Sequence, residues 1–484
     1  MKKITQYIKL LSLALVTTAT VTSCEGFLDT EASNTVNANT AIGNYKEAQS
    51  ALYGVYDGLQ GNSANVSYYG ANIVFIGDVA ANLMQANQTS KRTSAAYEMQ
   101  YVKTSSIAPW AKPYNTIRRA NNLLVAIAEG KISDGKPEDV NHIKGQALAI
   151  RALCHFDLLR LYSRSYTLSA DANSGIPIVL EPTDALSTPA RNSINDVYTA
   201  VIKDLNEAYS LMKSEASIGY LNKWGAKALL SRVLLQKGDN AGALAAAEDV
   251  IASKTYSLWA NADYSSVWEK GGNSEMIFEI VNFNSADWTD RNGLSNLINE
   301  LGYADYMLSK KTVDYFTANP NDVRIGITAA STEEAEIKKY GTDRVWVTKY
   351  PGRDGNPDFR INNIYVLRLS EVYLNAAEAA VKLGDGAKAA KFFNDIYKRT
   401  GNPAVATATL DMVLQEKGIE FLGEGQRFFD LMRNNKSVDR TNRYEYQSLK
   451  AESTIFTNAY YRTIFPLPFA EMEVNKNLVQ NPGY

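Results

Sequence analysis

The sequence predicts a mainly α chain. Helix pairs stack into a superhelical scaffold, and an irregular, loop-rich region with minor short β-strands interrupts them. Three observations predict this. Apolar residues recur at helical spacing through most of the chain. A helix–Gly–Asp–helix unit occurs twice. Residues 255–363 break the periodicity with Trp, Tyr, Asn, Asp and Gly.

The first element is a targeting segment. Lys2 and Lys3 precede an apolar run from Leu10 to Val16, and small residues lead into Cys24. A basic start, a short apolar stretch and a small-residue cleavage zone make a signal peptide over residues 1–23. The run is too short to span a bilayer. Cys24 stands where a bacterial lipobox places the cysteine that becomes the lipidated first residue of the mature chain. Lipid attachment gives stable anchoring when it supplies more than one acyl chain. Residues 24–40 are polar, small and Asn-rich, the composition of a flexible tether.

Residues 41–215 form an N-terminal region of helix pairs. Tyr114, Ile117, Asn121, Leu124 and Ile127 share one helical face, as do Ile194, Val197, Tyr198, Val201, Ile202, Leu205, Ala208 and Leu211. A long helix runs from about Val140 to Tyr162. Residues 164–192 contain Gly175, Pro177, Pro182 and Pro189 and read as loop. Residues 216–254 hold the first helix–Gly–Asp–helix unit: Trp224 to Lys237, then Gly238 and Asp239, then a helix through Ala246 and Ile251. The second lies in the C-terminal region, 364–484: Glu371 to Leu383, then Gly384 and Asp385, then a helix through Ala390 and Ile396. In both, Gly ends one helix and Asp caps the next. The unit resembles a tetratricopeptide repeat. Within 255–363, Glu275 to Ile280 alternates like a strand, and the rest of the insertion is the natural place for a ligand face.

Composition narrows the function. The 484 residues carry 50 Lys plus Arg against 52 Asp plus Glu, which argues against nucleic acid as partner. Two cysteines exclude a disulfide framework, and two histidines, His142 and His155, argue against a multi-His metal site or His-based catalysis. No metal or cofactor is expected. Loss of residues 1–23 removes Lys2, Lys3 and Lys9 and no acid, so the mature chain is more acidic still. The 29 Tyr and 6 Trp suit a wet binding surface.

Several motifs, in order, resemble one family. Cys24-Glu25-Gly26-Phe27-Leu28-Asp29 is similar to its mature start, and Ala48 to Tyr56 to its first helix. Trp110, Tyr114, Ile117 and Ala120-Asn121 fit the next helix, and Gly145-Gln146-Ala147 with Arg151-Ala152-Leu153 the central one. Tyr365 through Asn375 and Ala377-Glu378-Ala379 fit another. Glu420 to Leu431, Phe465-Pro466-Leu467-Pro468 and the closing Gln480-Asn481-Pro482-Gly483-Tyr484 are the most specific. Together they resemble the SusD/RagB outer-membrane nutrient-binding lipoproteins from end to end. Two departures touch packing. Glu416-Lys417 stands where the family often has Glu-Arg, and Cys154-His155 replaces an aromatic pair. Lys lacks the bidentate fork of Arg. The resemblance implies a surface-exposed, lipid-anchored outer-membrane protein without catalytic activity. It would bind oligosaccharide, or in some branches peptide, and deliver it to a SusC-like TonB-dependent transporter. A protein-interaction scaffold without small ligand is the other alternative.

Sugars are held by aromatic faces with amides, carboxylates and Arg on their hydroxyls. Two stretches offer that mix: Tyr68 and Tyr69 with Asp78 and Asn82, and Asp287, Trp288, Arg291 and Asn292 in the insertion. Trp346 and Arg353 are further candidates. Trp288 stands out because its flanks are polar with no apolar periodicity, whereas Trp224, Trp259 and Trp268 read as core. Glu420, Arg427 and Asp430 read as a buried structural ion-pair network. Cys154 and His155 read as core, and Asn319-Pro320-Asn321-Asp322 as a turn.

Overall fold

The computed structural model describes residues 42–484 apart from 62–66, 106, 169–173, 185, 284–292, 332–333, 335–343 and 357. Its helices begin where the sequence supplies caps. In α1 (Tyr45–Gln60) the Asn44 side chain accepts from the Glu47 amide. The short α2 (Asn72–Val79) is followed by α3 (Ala111–Ala128), which packs on both α1 and the 26-residue α4 (Pro137–Tyr162). Pro137 opens α4, where its missing N–H costs nothing. Ser193 caps α5 (Ile194–Leu211) and Asn222 caps α6 (Lys223–Lys237). Gly238, at φ +88°, ends α6, and Asp239 accepts from the Gly242 amide to start α7 (Asn240–Ser253).

The insertion contributes α8 (Leu294–Ile298) and α9 (Lys310–Ala318). Beyond it, α10 (Leu369–Lys382) and α11 (Gly386–Tyr397) repeat the α6–α7 junction, with Gly384 at φ +84° and Asp385 accepting from the Lys388 amide. The chain closes with α12 (Leu410–Glu420), α13 (Arg427–Arg433) and α14 (Phe469–Val474). From α3 to α7 each helix packs on the next, and α7 then packs on α10. Ala226, Ala376 and Ala377 are fully buried, so the small residues do sit at close helix contacts.

Among the described residues, four two-stranded antiparallel pairs form, two of them joining distant parts of the chain. They use β1 (Met84–Ala86), β2 (Met276–Ile280), β3 (Tyr306–Leu308), β4 (Thr328–Ala330), β5 (Val345–Val347), β6 (Ile364–Arg368), β7 (Val438–Asp439) and β8 (Ile455–Phe456). The pairs are β1–β3, β2–β6, β4–β5 and β7–β8. The strand expected at Glu275–Ile280 is β2. The described part of 164–192 contains neither helix nor strand. Trp259 and Trp268 are core, packed edge-on 5.0 Å apart, while Trp224 is only half-buried against Tyr209. A large core runs from Ile42 to Leu478, and a small second cluster gathers Ala304, Met307, Trp346 and Tyr444.

Charge also lies inside. Arg368, at the end of β6, meets Glu275 at 2.7 Å, Glu420 at 3.1 Å and Glu424 at 2.7 Å. Arg399 joins Glu275 to Glu420, and Arg324 bonds Asp322 and Glu416. Lys349 donates to Glu424 and to the Glu420 carbonyl. Burial opposes ionisation of Glu420, but Arg399, Arg368 and Arg324 outweigh it, and its carboxyl falls to about 2. A second cluster centres on Glu378, which takes bonds from Lys417 and Arg433; Arg433 also pairs with Asp430. Lys417 binds Glu378 as a point charge and adds a bond to Asn375.

The expected grouping of Glu420, Arg427 and Asp430 is therefore corrected. Glu420 and Asp430 sit in different clusters. Arg427 donates to the Leu414 carbonyl and the Asn82 side chain and has no ion pair among the described residues. Burial lowers its pKa to about 10. The cause is the turn at Gly423 and Gly425, at φ +78° and +73°, which redirects the chain between α12 and α13. That turn lies directly on α2: a Cβ on Gly77 would overlap the Gly425 carbonyl.

Candidate ligand-binding face

Five of the residues chosen from sequence are core and are corrected here. Tyr68 and Tyr69 are both buried, and their hydroxyls donate to the same oxygen of Asp157 on α4, at 2.5 and 2.8 Å. They lie in a turn, where neighbouring side chains need not alternate between faces. Asp78 is buried, accepts from the Gly425 amide at 3.0 Å, and burial drives its pKa well above the usual range. Asn82 is buried beside Arg427, and Trp346 is buried where β5 pairs with β4. Asp287, Trp288, Arg291 and Asn292 lie outside the described residues. Arg353 alone among the described candidates stays half-exposed.

The structure offers two accessible aromatic rings in the insertion, each with an arginine on it. Tyr303 is 39% exposed, and the Arg92 guanidinium lies 3.5 Å from its ring centroid. Arg92 is held by Asp305 at 3.4 Å. The backbone sets this up: the Tyr303 amide donates to the Asn296 carbonyl, and Ala304 takes φ +49° to turn the chain into β3. The buried Asn87 braces this turn: its amide donates to the Asp305 carbonyl and its side-chain oxygen accepts from Arg344 at 2.8 Å. Burial raises the Asp305 carboxyl and Arg92 partly offsets this. Leu301, strongly exposed, lies in the same turn.

Phe283 is 59% exposed, with the Arg353 guanidinium 4.3 Å from its centroid. Arg353 is fixed by bonds to the Asn282 carbonyl and the Asn363 side chain, both 3.1 Å. Asn282 in turn accepts from Gln60 at 2.6 Å and donates to the Asn362 carbonyl. Asn363 also donates to Glu279 on β2. The two ring–arginine pairs share a frame, because Ser295 of α8 bonds the Arg360 carbonyl and the Leu294 amide bonds the Gly70 carbonyl.

Rings stiffened by cations can stack on apolar C–H patches, and the guanidinium N–H groups can donate to hydroxyls, while the buried Asp305 and Asn363 hold the two arginines in place. The face contains no cysteine and no histidine. His155 is core as expected: Nε2 accepts from the Val179 amide at 3.1 Å, and burial followed by Arg151 lowers its pKa to about 3. Cys154 is buried, and burial pushes its thiol up. No cluster of His, Cys, Asp and Glu able to hold a metal occurs among the described residues. Sequence reasoning missed Arg92, Tyr303 and Phe283. The polar flanks that singled out Trp288 also surround Phe283, between Asn282 and Asn284, and were the signal available.

Comparison with known proteins gives the same family from both ends of the chain. The profile of the SusD family matches residues 326–484, and a profile described as "starch-binding associating with outer membrane" matches residues 26–235. A SusD superfamily protein from Bacteroides thetaiotaomicron superposes with a TM-score of 0.85 at 34% identity, over 91% of this chain and all of that one. A laminarin-binding SusD-like protein shares the fold, with a TM-score of 0.72 at 23% identity over 92% of this chain and 100% of that one. The starch-binding protein SusD of B. thetaiotaomicron is 30% identical over 150 residues, which is 30% of this chain and 26% of that protein. With a helical stack, four small strand pairs and a full-length relative at this identity, the chain belongs to the SusD superfamily.

Proposed function

We propose that this chain is a cell-surface lipoprotein of the outer membrane, anchored through Cys24. It binds an oligosaccharide or polysaccharide nutrient and hands it to a SusC-like TonB-dependent transporter. It captures without catalysing. The observation that carries the reading is the arginine-backed Tyr303, joined through α8 to the arginine-backed Phe283. An aromatic ring backed by an arginine, which the buried Asp305 holds at Tyr303 and the buried Asn363 at Phe283, suits a neutral, hydroxyl-rich chain better than a charged peptide. Relatives named for binding starch and laminarin support the class of ligand. No helix among the described residues is long and apolar enough to cross a membrane, which agrees with attachment by lipid.

Arginine and tyrosine give the face its specificity through geometry. The guanidinium covers one part of the ring and leaves accessible surface for a sugar, while its N–H groups donate to hydroxyls. Isothermal titration of the mature protein against laminarin, starch, other plant and algal polysaccharides, and a peptide mixture tests this. Binding to at least one glycan without release of smaller sugars is expected. Binding of peptides alone, or turnover of a glycoside, refutes the reading. Cys24→Ser should move the protein from the membrane fraction to the soluble fraction.

A further inference from the structure

Four residues other than glycine take a left-handed backbone among the described residues: Met99, Lys254, Ala304 and Asn435. Met99 and Lys254 each follow the last residue of a helix, and Asn435 comes just after the cap of α13, where that conformation is an ordinary way to end a helix. Ala304 ends no helix. It stands between Tyr303, whose ring belongs to the proposed face, and Asp305, which holds the arginine on that ring. Its φ is +49°, a region that alanine disfavours by about tenfold. Such a residue persists only where its surroundings over-determine it, and such strain gathers at ligand clamps and other functional sites.

The peptide groups around Ala304 are clamped from two sides. On one side, carbonyls left open at the end of α8 take the amides of the turn. Asn296 accepts from Tyr303 at 2.7 Å and Leu297 from Asp305 at 2.7 Å, while Asn299, just past the helix, accepts from Ala304 at 3.2 Å. On the other side, Asn87 takes the carbonyls. Its side-chain amide donates to Ala304 at 3.2 Å and its backbone amide to Asp305 at 2.8 Å. Asn87 is itself fixed, because Arg344 donates to its side-chain oxygen. The Ala304 methyl packs with Met307, Trp346 and Tyr444, which gives alanine a use here that glycine would lack.

We propose that Asn87 is a positioning residue for ligand capture: it keeps Ala304 in a conformation the alanine would otherwise leave, so that Tyr303 and Arg92 stand ready before ligand arrives. The proposal rests on the reading of Tyr303 as ligand surface. Asn87 is buried, so it acts through Ala304 and not by touching ligand. Strain gives the turn two places to be. With the clamp closed, the left-handed turn is populated. With the clamp open, Ala304 relaxes and moves the ring away from Arg92. Ligand then meets a competent turn only in a fraction of molecules, and the apparent Kd rises by the inverse of that fraction. The loss falls on association. Loss of a direct contact instead shortens the life of the complex.

The test is Asn87→Asp, which keeps an oxygen for Arg344 and sets a carboxylate oxygen against the Ala304 carbonyl. Surface plasmon resonance of the mature protein with laminarihexaose, maltohexaose and xylohexaose gives both rates for the tightest binder. Association should slow about tenfold while dissociation stays unchanged. Asn87→Ala deletes the bond without the repulsion and should give the same pattern by a smaller factor, about threefold. Ala304→Gly alone should stay within about twofold of wild type, since glycine takes the left-handed region freely. Added to Asn87→Asp, it should bring association back to within about threefold of wild type. Urea midpoints show that each variant is folded. Faster dissociation at an unchanged association rate, or no recovery with glycine, overturns the positioning role. If Tyr303→Ala weakens binding while both Asn87 variants keep wild-type rates, the positioning role fails and the glycan face stands. If Tyr303→Ala binds as wild type does, or none of these glycans binds, the reading of the face fails and takes the proposal with it.

Discussion

Tyr303→Ala is the sharpest perturbation of the proposed face. The ring is 39% exposed. A tyrosine side chain offers about 200 Å² in all, so the accessible part is about 80 Å². Covering that much apolar-weighted surface with a sugar stabilises the complex by about 2 kcal/mol at roughly 25 cal/mol per Å². Removing the ring should therefore raise Kd by a factor of about 30. Arg92→Ala removes the cation over the ring and should cost about 0.5–1 kcal/mol, the worth of an exposed cation–π contact. Tyr303→Phe keeps the stacking area and should stay near wild type unless the hydroxyl touches ligand. Titration calorimetry with the best glycan gives the affinities, and urea midpoints confirm that each variant is folded. A folded Tyr303→Ala protein that binds within about twofold of wild type would show that Tyr303 is not part of the ligand surface.

Other expectations concern the core behind the face. Arg368→Met removes one buried partner from each of Glu275, Glu420 and Glu424, leaving three carboxylates to Arg399, Arg324 and Lys349, and should lower unfolding free energy by about 3–5 kcal/mol in urea titration; a loss under about 1 kcal/mol would mean the cluster is not buried in solution. Gly77→Ala drives a methyl into the Gly425 carbonyl and should sharply cut the yield of folded protein, whereas Gly54→Ala, with nothing near its Cβ, should not. Stability should fall in acid for two reasons with the same sign. Glu420 drops from 4.5 unfolded to about 2 folded, so its contribution is full above the unfolded value and lost as pH falls through the folded one. His155 drops from 6.5 to about 3, so below the unfolded value the unfolded chain takes up a proton that the fold refuses. Urea midpoints at pH 7, 5.5 and 4 should decline, and His155→Gln should flatten the upper part of that decline.

The helical scaffold was legible because helix signals are local. Asn222, Asp239 and Asp385 cap helices at the positions their types suggest, and Gly238 and Gly384 take the left-handed conformation that ends a helix. The face was much less legible, because exposure is a property of the whole fold. Tyr68 and Tyr69 look like a surface pair in sequence, yet both reach Asp157, 89 and 88 residues away. Trp346 has polar neighbours at Arg344 and Thr348 and still lies under β4. Spacing misled in the same way at Arg427: ten residues from Glu420 to Asp430 suggest one cluster, but two left-handed glycines in between send the side chains to different ones. The insertion was the region expected to carry a ligand face, and Tyr303, Phe283 and Arg353 of the proposed face all come from it.

The buried charges explain how an irregular insertion can present a defined surface. Its described segments have short strands and few long helices, so backbone hydrogen bonds alone leave them weakly fixed. Arg324 and Lys349 of the insertion are instead bound by Glu416, Glu420 and Glu424, which α12 and its following turn supply. Arg368 then ties the same carboxylates to Glu275, beside the strand that runs on to Asn282 and Phe283. A carboxylate in such a setting must keep all its partners, because a lone buried charge costs several kcal/mol. The network therefore tolerates few alternative placements of the insertion on the helices. Rings held before ligand arrives lose less entropy on binding, and so the stability of the core and the affinity of the face are linked through the same residues.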